Sequence, residues 1–258
     1  MAPKTVRKAF TYLRLIFRDA QIEEIIAANP CVLPGGVLPS AQDRDPAWRA
    51  GAVFTRDELE TLISDERIPQ DRRVLYALKG IGAMRHGEAA GLRWEHYDRD
   101  AAPLGKLTIA YSYERPGTKT GVTREMPCHP TLARVLAGWR LSGWERTYGR
   151  TPQAADLIVP NSALKPRDKN DAAKLFAKDL DALGLRPRRA HDLRATFITL
   201  AQTDGGLPHL LQIATHGPSK RSVFDAYSRF SYAAICAEVG KLKVSVRAGA
   251  VVKLRAVG

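Results

Sequence analysis

The sequence predicts a mainly α domain with a small antiparallel β-sheet near its start, an α+β class. Three features predict it. From Asp171 onward the apolar residues recur almost wholly at helical spacing. One stretch alternates instead, through Leu107, Ile109 and Tyr111, and a turn-forming run (Pro116-Gly117-Thr118-Lys119-Thr120-Gly121) leads from it to a second extended stretch. At 258 residues and 45% hydrophobic, the chain can bury one substantial core with room for a small satellite domain.

Taken in order, Thr5 to Ala28 reads as one helix with an apolar stripe through Val6, Phe10, Leu13 and Phe17. Asn29-Pro30 should end it, because a residue before proline is driven out of the α region. A Pro-, Gly- and charge-rich run from Pro34 to about Ala52 reads as a linker. The main domain opens at Phe54-Thr55-Arg56-Asp57-Glu58-Leu59, where Thr55 and Glu58 form a capping box and Phe54 and Leu59 its hydrophobic staple. A helix over Arg72 to Gly80 follows, then a short helical turn after Gly87-Glu88. The pattern turns extended at Leu92-Arg93-Trp94. Lys106 to Tyr113 and Thr123 to Pro127 pair as a hairpin, and Pro130 starts a helix that reaches Tyr148. Beyond Asp171 the helices break at Gly184 to Pro187, Gly205-Gly206 and Gly217-Pro218. The expected segments are 1–30 (N-terminal helix), 31–53 (linker), 54–243 (main domain) and 244–258 (tail).

Lys and Arg number 40 against 27 Asp and Glu, a net charge of +13 that favours a polyanionic partner, nucleic acid first among them. Cys31, Cys128 and Cys236 have neither zinc-ligand nor redox spacing, so a reducing, cytoplasmic setting is expected. No apolar run has the length of a membrane span, and no signal-peptide pattern follows the basic N-terminus; no membrane partner is expected. Phosphate-binding and dinucleotide glycine loops, a nucleophile elbow and clustered carboxylates for two metals are missing from the sequence.

Six residues stand out in a fixed order. Arg85 lies between Gly82 and Gly87, where the backbone can turn tightly and aim a guanidinium into a cleft. His191 and Arg194 are three apart in a helical stretch and should share a face, just after the basic run Arg186-Pro187-Arg188-Arg189. Two arginine forks can bind both non-bridging oxygens of one phosphate and stabilise the charge that grows during attack. Lys119, at the hairpin tip, is a candidate general acid, and His216, at a helix end, a candidate phosphate donor. Tyr227 is of a nucleophile type that forms a covalent ester once arginines lower the cost of its phenolate. Singly, each has an ordinary structural alternative: surface arginine, solvated loop lysine, satisfied histidine, packing tyrosine. Their combination is what breaking a DNA phosphodiester without a metal ion requires.

That combination resembles the catalytic domain of tyrosine recombinases, the phage-integrase family. The matching stretches are GAMRHGEAAGLRW (82–94), Lys119 within TKTGVTREMP, HDLRATFIT (191–199), and Thr215-His216-Gly217 leading to Tyr227. The resemblance covers about residues 54–240. It implies a tyrosine recombinase catalytic-domain fold. Arg85 and Arg194 become the phosphate clamp, Lys119 the general acid, His191 a general acid/base, His216 a supporting phosphate donor and Tyr227 the nucleophile. It further implies a site-specific recombinase or integrase that cleaves and rejoins double-stranded DNA through a 3′-phosphotyrosine, with no metal, ATP or other cofactor. Four protomers would act on two DNA sites, with accessory DNA-bending proteins as candidate partners, in the cytoplasm at the nucleoid. The helix nominated to dock onto a neighbour is Tyr232 to Lys243, and the tail is a second candidate.

Two departures stand beside it. The interval from His216 to Tyr227 is slightly longer than the family's usual one, with Tyr232 as a reserve nucleophile. Only Thr5 to Ala28 resembles a part of the family's helical core-binding domain, its last helix, so a remnant of that domain is expected at 1–30. The alternatives are a catalytically inert DNA-binding relative or truncated mobile-element remnant and, third, a type IB topoisomerase-like enzyme.

Overall fold

The computed structural model describes residues 2–40, 51–110, 113, 123–217 and 230–247. Lys119, Tyr111 and Tyr227 lie outside the described residues, as do residues 41–50 of the expected linker and 248–258 of the tail. The chain divides into two compact units, residues 1–51 and 52–258.

The first unit holds α1 (Pro3–Ile22), with Pro3 in its first turn, where a missing amide hydrogen costs nothing. The helix ends before the expected Ala28. Glu24 adopts φ 59°, the Glu24 amide donates to the Gln21 carbonyl and the Ile25 amide to that of Ala20. This is a Schellman closure with glutamate where glycine is usual. Val6, Phe10 and Phe17 are half-buried while Leu13 is 48% exposed, so the expected stripe has no core of its own.

The second unit opens as read. Thr55 Oγ1 accepts from the Glu58 amide and Glu58 accepts from the Thr55 amide, capping α2 (Arg56–Ser64). The staple residues Phe54 and Leu59 are both buried. Helix α3 (Gln70–Gly80) carries Val74, Leu75, Tyr76, Ala77 and Leu78 into the core. Next come α4 (His86–Gly91), a 3₁₀ turn (Trp94–His96) and β1 (Tyr97–Asp98). β1 pairs with β2 (Lys106–Ile109), which pairs with β3 (Arg124–Pro127), all antiparallel, in the order β1-β2-β3 with Leu107 opposite Met126. The hairpin was legible in the sequence; the two-residue β1 is too short to show a period.

The helix expected from Pro130 to Tyr148 is continuous but not uniform. It runs as α5 (Pro130–Gly138), a π turn (Trp139–Gly143) and α6 (Trp144–Tyr148). The wide turn lets Trp139 and Trp144 both stay buried, donating to the Ile158 and Leu157 carbonyls. Then follow α7 (Lys169–Ala182), α8 (Asp192–Thr203), α9 (Pro208–His216) and α10 (Tyr232–Gly240).

Helix α10 is committed within its own unit: Ile235 and Val239 belong to the core, against α9 and β3. Residues 242–247 follow it without regular secondary structure and are tied down too. Leu242 and Val244 are buried, His129 bonds the Leu242 carbonyl, Thr131 donates to the Val244 carbonyl, and the Ser245 and Arg247 amides donate to Glu60 and Ser64. The chain therefore shows no structural break at Val244.

One buried polar group pairs across this core. Asp179, 3% exposed on α7, accepts from Arg72 at 2.7 and 2.9 Å and from the Tyr76 hydroxyl at 2.5 Å. Removing it strands a guanidinium and a phenol in the interior. Asp179→Ala is expected to lose about 3–5 kcal/mol of folding stability, read by chemical denaturation.

Candidate active site

The site begins where α3 ends. Gly82 passes so close to Leu78 that a Cβ there would lie 2.7 Å from its carbonyl oxygen. Ala83 then takes φ 49°, a conformation that costs a non-glycine residue about 1–2 kcal/mol. This kink presents the Ala83 carbonyl to Arg194 and places Arg85 as the N-cap of α4.

One turn on, Glu88 is 3% exposed and gathers three arginines. Arg124 reaches it through both arms at 2.8 and 2.6 Å, and Arg85 donates its amide at 2.8 Å and Nη1 at 2.9 Å. Arg194 Nη1 stands 3.9 Å away. Arg194 is fixed independently by the carbonyls of Ala83 and Thr215, and is itself buried. Burial alone would raise the Glu88 carboxyl, but Arg124 and then Arg85 hold it at about 2. Burial, with Arg85 and Arg124, pushes Arg194 down to about 9. Three guanidiniums around one carboxylate leave an excess of positive charge, which an anion would relieve.

The histidines flank this cluster. His191 is the N-cap of α8, exposed at the wall of a pocket of about 650 Å³ that Arg85, Glu88 and Arg189 also line. It belongs to the same helical turn as Arg194, yet the two side chains divide the labour: His191 faces the pocket and Arg194 plugs the layer beneath. Burial, then Arg194 and Lys79, lower the His191 pKa. At the end of α9, His216 Nδ1 lies 2.8 Å from the Thr215 hydroxyl, which donates to the Leu211 carbonyl at 2.7 Å. In that arrangement Nδ1 carries the hydrogen and Nε2 offers a lone pair; turning the Thr215 hydroxyl onto Nδ1 is what would free Nε2–H to donate. Desolvation and the three arginines push His216 down to about 4, so it is neutral near pH 7.

The structure thus brings Arg85, His191, Arg194 and His216 together. The basic run before α8 is less available than its composition suggests. Arg188 pairs with Glu58 and stacks over the Phe54 ring, 4.1 Å from its centroid, while Arg189 pairs with Asp192. The hydroxyl of Tyr232, the reserve nucleophile of the sequence, is engaged: it lies 3.1 and 3.0 Å from the Leu104 and Gly105 carbonyls, and burial raises its pKa.

Sequence reasoning missed Arg124 and Lys79. A signal existed for each. Arg124 alternates with exposed Glu125 and buried Met126, which puts an arginine on the core side of a strand. Lys79 lies four residues after Leu75, inside the apolar face of α3.

A carboxyl held near 2 stabilises the fold fully above its unfolded value of about 4.5 and loses that contribution as pH falls towards 2. Denaturation across pH 7 to 2 should show about 3 kcal/mol lost in that window. Glu88→Gln should lose a similar amount at pH 7 and flatten the window.

No protein-family model matches the chain. Among curated proteins it is similar to the ICEBs1 integrase of Bacillus subtilis (25% identical over 224 residues, covering 78% of this chain and 54% of that protein). The prophage integrase IntR of Escherichia coli is 23% identical over 248 residues, covering 87% of this chain and 57% of its own length. The chain therefore spans just over half the length of these relatives. Among solved structures, the Tn1549 transposon integrase in complex with circular intermediate DNA matches with a TM-score of 0.65 at 17% identity, covering 92% of this chain and 79% of that one. A lambda integrase dimer bound to a core site matches at 0.57 and 19%, covering 86% and 74%. In sequence the chain resembles integrases of the tyrosine recombinase family, and its described residues carry the fold of that family's catalytic domain.

Proposed function

We propose that residues 54–243 are the catalytic domain of a site-specific DNA recombinase or integrase, that 1–30 is a helix of a core-binding domain and that 31–53 links them. The substrate is double-stranded DNA. The observation that carries this reading is the buried cluster around Glu88, where Arg85, Arg124 and Arg194 outnumber the one carboxylate they share. A site that holds excess cations in fixed positions before substrate arrives is suited to the charge that grows on a phosphorus under attack.

In this mechanism the scissile phosphate takes hydrogen bonds from Arg85 and Arg194. The Tyr227 oxygen attacks phosphorus, the bond to the 5′ oxygen breaks, and Lys119 protonates the leaving oxygen as the 3′-phosphotyrosine forms. His191, neutral near pH 7 because burial and neighbouring cations lower its pKa, is suited to accept the tyrosine proton. A 5′-hydroxyl from a second strand then attacks the phosphotyrosine and restores the tyrosine. The phosphodiester count is conserved, so the chemistry calls for no ATP, and the charge is met by side chains rather than by a metal. His216 supports the phosphate once its Nε2 carries the hydrogen. Four protomers on two DNA sites, with DNA-bending proteins assisting, complete the strand exchange.

The protein is incubated with supercoiled plasmid, quenched with SDS, and resolved for relaxed topoisomers and protein-linked DNA. Wild type should yield both, Tyr227→Phe neither, and Arg194→Ala at least about a hundredfold less. Plasmid bound by wild type but never relaxed or linked would favour the inert DNA-binding relative. Binding should weaken steeply with salt, the slope reporting the phosphates neutralised; affinity unchanged by salt would contradict a phosphate-led interface.

A further inference from the structure

The pocket that reaches Arg85 and His191 continues inward to Lys79, which no part of the mechanism above uses. Lys79 is in the last turn of α3 and is 3% exposed. No carboxylate among the described residues lies within ion-pair distance of its ammonium. An apolar side chain of that length would fill the same space without the cost of desolvating a charge. Around it stand Tyr76 from its own helix, Arg85, His86 and Glu88 from the start of α4, and Lys169 from α7. Arg189, His191 and Asp192 face it from the turn before α8 and from that helix's start. Two of these groups are carboxylates, and both are already engaged, Glu88 by Arg124 and Arg85 and Asp192 by Arg189.

We propose that Lys79 is a further phosphate-binding residue of this site, its ammonium taking a non-bridging oxygen of a DNA phosphate that enters the pocket beside Arg85 and His191. The assignment rests on the reading of the chain as a DNA strand-transfer enzyme. It gives the site a cation that loses its charge at lower pH than the arginines, of which Arg194 is brought down only to about 9. Desolvation, opposed by Asp192, lowers Lys79 to about 8. An oxyanion favours the charged form, so the bound lysine titrates higher than the free one. Affinity is then greatest below pH 8 and falls by up to about tenfold per pH unit above it.

The full chain is titrated with a short mixed-sequence DNA duplex at low salt, by fluorescence anisotropy, from pH 6.5 to 8.5, below the titration of Arg194. Wild type should weaken above pH 8. Lys79→Met should bind roughly tenfold more weakly at pH 7 and lose that slope, while melting no lower than wild type, a result that a merely structural lysine would not give. Lys79→Arg should keep the affinity and lose the slope. Wild-type binding whose strength and pH slope are matched by Lys79→Met overturns the assignment and leaves the recombinase reading standing. Wild type that does not bind the duplex overturns both.

Discussion

The buried carboxylate of Glu88 is the constraint on which the rest of the site depends. Without it, Arg85, Arg124 and Arg194 would face one another across a desolvated layer with nothing to offset their repulsion. With it, Arg124 is locked through two bonds and Arg85 is held as the cap of α4, beside an Arg194 that the Ala83 and Thr215 carbonyls brace independently. The strained backbone at Ala83 belongs to the same arrangement, since the kink that costs conformational energy is what delivers one of those carbonyls. The single carboxylate organises three cations without neutralising them, and the surplus charge is what remains for a phosphate.

The same imbalance sets the protonation of the flanking groups. His191 and His216 are both shifted towards their neutral forms by burial and by the arginines, so near neutral pH neither adds to the positive charge of the empty site, and a neutral His191 has a lone pair for an incoming proton. Stability and chemistry pull against each other here. Cations buried in excess weaken the fold while the site is empty, and binding an anion offsets that cost. The pairing of Asp179 with Arg72 and Tyr76, by contrast, is balanced within the core and serves the fold alone.

Much of this was legible in the sequence, because it rests on short-range chemistry. The capping box at Thr55 and Glu58 depends on residues three apart, and the hairpin on alternation that two strands share. The end of α1 was not legible, because Glu24 takes a left-handed conformation that sequence patterns assign to glycine. The role of Glu88 was underread for a different reason. A glutamate at the start of a helix is ordinarily a partner of the helix dipole, and nothing local shows that a strand residue 36 positions away, Arg124, would meet it. Lys79 was overlooked although it stands on the apolar face of α3, since a lysine at the end of a helix is usually solvated. Arg188 differs in the opposite direction: it stands in a run of positive charge, and tertiary pairing with Glu58 claims that charge.

The central claim is that this cation cluster serves a tyrosine nucleophile on a DNA phosphate. Its most direct test is the identity of the linked residue. Protein trapped on nicked duplex by SDS would be digested with nuclease and protease, and the nucleotide-bearing peptide sequenced by mass spectrometry. The account predicts a single adduct, a phosphodiester on Tyr227. An adduct on Tyr232 or on any serine would contradict the assigned site, and DNA cleaved with no covalent adduct at all would contradict the chemistry itself.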